Sequence, residues 1–99
     1  MMETKAKQIA NLLKVLANEN RLMIFCALMK EPMPVFKIAE RVSGITQSAL
    51  SQHLALLKAH GILESNKAGM HITYSIADNR VVDIMEAIKK YYCDCEGDK

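Results

Sequence analysis

Apolar residues at helical spacing from Ile9 to Leu57, a two-residue period at Ile72, Tyr74 and Ile76, and a helix-breaking end at Gly61 predict a mainly α domain with one β-hairpin. The predicted order is helix, helix, helix, helix, hairpin, helix, with no internal repeat. In the first helix Ile9, Leu12, Leu13 and Leu16 form one stripe, and in the second Leu22, Phe25, Cys26 and Met29 form another. The break between them falls at Ala17-Asn18-Glu19-Asn20, where Asn18 can accept from amides in the first turn of the next helix. Pro32 and Pro34 end the second helix and open a short third, because proline lacks an amide hydrogen yet suits a first helical position. Val35, Ile38, Ala39 and Val42 are its expected inner face.

Ser43-Gly44-Ile45 is a tight connection, and Thr46 is a good N-cap for a helix that runs to His60 with Leu50, Leu54 and Leu57 inward. Leu63 to Asn66 then pairs with the strand around Tyr74 across the turn Lys67-Ala68-Gly69-Met70. A last helix opens near Asp78-Asn79 and buries Val81, Met85, Ile88 and Tyr92. A helix pair joined by a short turn and followed by a hairpin has the order of a winged helix-turn-helix, whose second paired helix enters the DNA major groove.

With 99 residues, 51% of them hydrophobic and 24% charged, the chain is expected to form one domain over residues 1–99, with a frayed tail at about 95–99. No apolar run is long enough to cross a bilayer, and the amino-terminal MMETKAKQ lacks the apolar stretch of an export signal, so a cytoplasmic protein without a membrane partner is expected. Cys26, Cys93 and Cys95 are an odd number of cysteines, which argues against a permanent disulfide framework.

A net charge of +2 is too mild to indicate a polyanion partner, but its distribution does. From Arg41 to Ala77 the single acidic residue is Glu64, while the same stretch carries Arg41, Lys58, Lys67, His53, His60 and His71. A surface cleared of carboxylates can approach phosphates. Opposite the leucines, the fourth helix presents Gln47, Ser48, Ser51 and Gln52, able to donate to and accept from base edges. With Thr46, His53, Lys58, and Lys67 and His71 near the hairpin tip, these are the candidate DNA contacts. One reading head spans few base pairs, so a homodimer on palindromic operator DNA is expected. Leu13, Val82, Ile84 and Tyr91 are spare apolar residues on the first and last helices that would join the subunits.

The segments LLKVLANENRLMIFCALM, QSALSQHLALLKAHGIL and ITYSIADNRV together resemble the ArsR family of winged-helix repressors over nearly the whole chain. Many of that family sense metals, yet the thiolate pair of its third helix would need cysteines at Pro34 and Phe36. Its last-helix zinc site would retain Asp78 but meets Arg80 and Tyr91 where imidazoles are expected, so neither metal site carries over. Cys26, within RLMIFCAL, and Cys93, within KKYYC, match instead the thiol pair of the persulfide-sensing subgroup that includes BigR, SqrR, YgaV and HlyU. The resemblance implies a repressor that binds DNA when reduced and leaves it when persulfide or polysulfide links Cys26 to Cys93, with no cofactor. Cys95 is outside that pair: it could resolve a thiol adduct, or join Cys26 and Cys93 in holding a thiophilic ion such as Cu(I), As(III) or Cd(II). A thiol enzyme is not expected, since the chain has neither a Cys-x-x-Cys nor an evident nucleophile and base pair.

Overall fold

The computed structural model describes residues 2–92 and has the expected helical order, with one strand more than the sequence suggested. Its elements are α1 (Met2–Leu16), α2 (Glu19–Lys30), β1 (Met33–Pro34), α3 (Val35–Arg41), α4 (Gln47–Ala59), β2 (Leu63–Ala68), β3 (His71–Ile76) and α5 (Asn79–Tyr92). The tail at 95–99, expected to fray, lies outside the described residues.

The helix boundaries form through the chemistry that the sequence announces. Asn18 is extended and its Oδ1 accepts from the amides of Asn20 and Arg21 at 2.9 and 3.1 Å, which caps α2. Thr46 Oγ1 accepts from the Ala49 amide at 3.0 Å and caps α4. At the far end of α4, Gly61 takes a φ of +75°, the Gly61 amide bonds Lys58 O and the Ile62 amide bonds Leu57 O. This paired closure needs a left-handed residue, and it buries Ile62 beside Leu57. It also aims the chain straight into β2.

The hairpin is tighter than expected. Strand pairing extends to Ala68 and His71, leaving the two-residue turn Gly69-Met70 where a four-residue turn was expected. Gly69 has a φ of +65°, as a first central residue in such turns requires, so pairing can run to the tip. Met33 and Pro34 add a third strand beside Tyr74 and Thr73, giving the antiparallel order β1-β3-β2. A two-residue strand that ends in a proline carries no periodic signal, and an edge position suits Pro34, which has no amide to donate.

Among the described residues fifteen form the core, including Ile24, Phe25, Leu28, Ile38, Leu50, Leu54, Leu57 and Ile62. Several expected facings are corrected. On α2 the buried residues are Ile24, Phe25 and Leu28, with Leu22, Cys26 and Met29 only half-buried. That helix packs against α1, α3, α4 and β3, and a helix surrounded by neighbours is apolar on every side, which hides its inner face. Ala39 is exposed because it lies a quarter-turn round α3 from buried Ile38. Ile9, Ile88 and Tyr92 are exposed rather than buried, since the core takes Val15 and Leu16 from the end of α1 and Val81 and Met85 from the start of α5. The remaining apolar faces of both helices stand in solvent in the single chain.

Replacing Gly61 with alanine should lower stability by about 1 to 2 kcal/mol, the strain of a side chain in left-handed backbone. Urea denaturation checks this, and an unchanged midpoint would contradict the closure described for α4.

Candidate nucleic-acid interface

Helix α4 has two opposed faces. Leu50, Leu54 and Leu57 are each no more than 1% exposed and anchor it in the core. Gln47, Ser48, Ser51, Gln52 and Lys58 are exposed on the other side, and Ala55 and Ala59 continue that face with small side chains. Amides and hydroxyls there can satisfy base-edge donors and acceptors, and alanine methyls can meet thymine methyls. Because Thr46 Oγ1 accepts from the Ala49 amide, the hydroxyl hydrogen of Thr46 is what it has to offer a phosphate.

The wing flanks this face. Lys67 and His71 are exposed on β2 and β3 close to the turn, and Met70 at its tip is 92% exposed. The His71 ring lies 5.8 Å from that of Phe36 on α3, tilted by 59°, so the wing leans towards the helix pair. Between them runs a groove lined by Phe36, Ala39, Thr46, Gln47, Met70 and His71 among others. The groove thus joins the first residues of α4 to the wing in one continuous surface; the exposed apolar side chains of Phe36 and Met70 on it carried no sequence signal, and that of Ile72 signalled only the strand.

His53 differs from its neighbours in the candidate set. It is half-buried, and its Nδ1 lies 3.3 Å from Nη1 of Arg21 on α2. A guanidinium only donates, so Nδ1 accepts and the ring carries its hydrogen on Nε2. Burial first, and the Arg21 charge second, hold the His53 pKa below the usual histidine value. Arg21 also donates through Nε to the Val15 carbonyl at the end of α1. The sequence did not mark Arg21 as functional, since no local spacing relates it to His53.

The candidate thiols divide. Cys26 is half-buried on α2 and packs against the core, whereas Cys93 and Cys95 lie outside the described residues. Asp78 forms a two-pronged ion pair with Arg80, Oδ1 with Nε and Oδ2 with Nη2, both at 2.9 Å, and this holds the Asp78 carboxyl below the usual carboxylate range. No helix among the described residues is long and apolar enough to cross a membrane.

Comparison with known proteins agrees with this geometry. A helix-turn-helix domain family matches residues 16–66. The transcriptional activator HlyU of Vibrio cholerae is 35% identical over 93% of this chain and 84% of its own. The reduced structure of HlyU superposes with a TM-score of 0.86 at 34% identity, covering 94% of this chain and 97% of that one. The transcriptional repressor BigR of Xylella fastidiosa superposes with a TM-score of 0.85 at 33% identity, over 93% of each chain. A homodimeric winged helix-turn-helix DNA-binding domain from Mycobacterium bovis gives a TM-score of 0.77 at 26% identity, over 94% of this chain and 88% of that one.

Two outcomes are expected. Replacing Ser51 and Gln52 together with alanine should weaken binding to a specific duplex by about tenfold or more and binding to a shuffled duplex far less, as lost base contacts would; equal losses in a fluorescence anisotropy titration would move them to phosphate contact. For stability, His53 has a folded pKa below its unfolded one, so its contribution is present above about pH 6.5 and is lost as pH falls below that value. Denaturation midpoints of the protein and of His53→Asn should draw together as pH falls below about 6.5; parallel curves would contradict the neutral, half-buried ring.

Proposed function

Since the chain belongs to the ArsR family of winged helix-turn-helix transcriptional regulators, we propose that it is a cytoplasmic, homodimeric repressor that reads operator DNA through α4 and the wing and is released by reactive sulfur. The observation that carries the DNA half is the polar face of α4 set over its leucine anchor, with Lys58 and Lys67 near and Glu64 the lone acid from Arg41 to Ala77. Thr46, Gln47, Ser48, Ser51 and Gln52 make base and phosphate contacts in this reading, with Lys58, Lys67 and His71 on the backbone. His53 serves from beneath.

Ile9 and Leu13 on α1 and Ile84, Ile88 and Tyr91 on α5 support pairing of two copies, because that much exposed apolar surface on adjoining helices needs cover. The homodimeric neighbour from Mycobacterium bovis supports the same arrangement. Two reading helices then fall on half-sites about one helical turn apart.

The signal enters at Cys26 and Cys93. Cys26 sits on α2, the helix in contact with α1, α3 and α4, and Cys93 follows the last described residue of α5, Tyr92. One thiolate attacks a sulfur of polysulfide, breaking an S–S bond and expelling a polysulfide one sulfur shorter, and becomes a persulfide; the other thiolate attacks the inner sulfur of that persulfide, hydrosulfide leaves, and a disulfide remains. Tying α2 to the end of α5 changes how those helices pack and hence the distance between reading heads. A hundredfold loss of operator affinity needs about 2.7 kcal/mol of such coupling.

Cys26→Ser should bind operator normally yet stay bound when polysulfide is added, and intact mass analysis of the treated wild-type chain should show a linked pair of cysteines. Release of the serine variant by polysulfide would remove Cys26 from the mechanism. An unmodified chain released only by Cu(I), As(III) or Cd(II) would replace sulfur sensing with metal binding by Cys26, Cys93 and Cys95.

A further inference from the structure

The leucine anchor fixes which face of α4 is buried, but apolar contact is non-directional and leaves the last few degrees of rotation about the helix axis unset. Rotation matters for reading: a turn of a few degrees swings Ser51 and Gln52 away from the base edges they would meet. A directional bond is needed to set it. Among the described hydrogen bonds, one joins α4 by a side chain to another helix, and it is the Arg21 to His53 contact.

Arg21 is fixed at three points. Its amide is held by Asn18 Oδ1 at 3.1 Å, its Nε donates to the Val15 carbonyl that ends α1, and its Nη1 reaches His53 Nδ1 at 3.3 Å. The guanidinium therefore stands where α1 ends, α2 begins and α4 passes. We propose that Arg21 is a positioning residue for DNA reading: acting through His53, it sets the rotation of α4 relative to α1 and α2. The proposal rests on α4 being the reading helix. Arg21 touches no base in it, and His53 needs no contact with DNA.

The bond requires a bare Nδ1. Protonation of His53 would place two cations side by side and release the helix from its setting. Besides Arg21, the charged groups on α4 and the elements around it are Lys58 on α4, Glu19 and Lys30 on α2, Glu64 and Lys67 on β2, and Lys37, Glu40 and Arg41 on α3, all exposed, so Arg21 is the charge that acts on the ring.

The test titrates the purified full chain against its own promoter duplex and a shuffled duplex of equal length at pH 7.5. It uses Arg21→Met, His53→Leu, the double variant and His53→Asn, whose amide oxygen can replace Nδ1 as acceptor. Arg21→Met and His53→Leu should each lose about tenfold on the promoter duplex, the scale of one hydrogen bond to a charged group, and less than about twofold on the shuffled one. The double variant should lose no more than either single one, and His53→Asn should recover most of the affinity. Nitrogen NMR of the free protein should show His53 as the Nε2–H tautomer, turning to a mixture in Arg21→Met. Additive losses, equal losses on both duplexes, or His53→Asn as weak as His53→Leu would overturn the proposal while leaving DNA reading intact. A wild-type chain with no preference for the promoter duplex would overturn the reading itself, and the positioning role with it.

Discussion

Everything that α4 can do depends on one packing constraint, the burial of Leu50, Leu54 and Leu57 in the same core cluster as Ile38, Val42 and Ile62. Three leucines at spacings of four and three occupy one side of a helix, so the other side has no choice but solvent. Burying each is worth roughly 1.5 to 3 kcal/mol, enough to hold the helix against the loss of freedom that ordering it entails. The polar face needs no stabilising role of its own. It is free to carry Gln47, Ser48, Ser51 and Gln52, whose chemistry suits a partner rather than the fold.

The ends of that helix are set by short-range chemistry that also serves the site. Thr46 starts α4 at the close of the Ser43-Gly44-Ile45 connection, and Gly61 with Ile62 ends it so that the chain enters the wing at once. The bond from the Ala77 amide to Ile62 O, at 2.9 Å, closes the base of the hairpin on the same point. Helix α4 and the wing therefore share one junction, and a shift of either moves both. Arg21 adds the directional contact that ties this unit back to α1 and α2.

Local signals were legible in the sequence and relational ones were not. Asn18, Thr46 and Gly61 announce helix ends because capping is decided within a few residues, and the leucine stripe announces its face because α4 has one wet side. The inner face of α2 was misread, since a helix packed on four neighbours gives no contrast to read. Ile88 and Tyr92 were expected in the core for the opposite reason: the pattern of α5 shows apolar spacing but not whether this chain or a second copy covers it. The Arg21 to His53 contact joins residues far apart in the chain, and no spacing rule connects them. The same division holds for Cys26 and Cys93, where the suggestion came from a resemblance rather than from periodicity.

A leucine-anchored helix that reads DNA from each of two paired subunits leaves a characteristic mark in hydroxyl-radical footprinting of the promoter duplex. Two protected windows about ten base pairs apart, weakening steeply as salt rises, are the expected result. A single window, or protection spread evenly along the duplex, would contradict it.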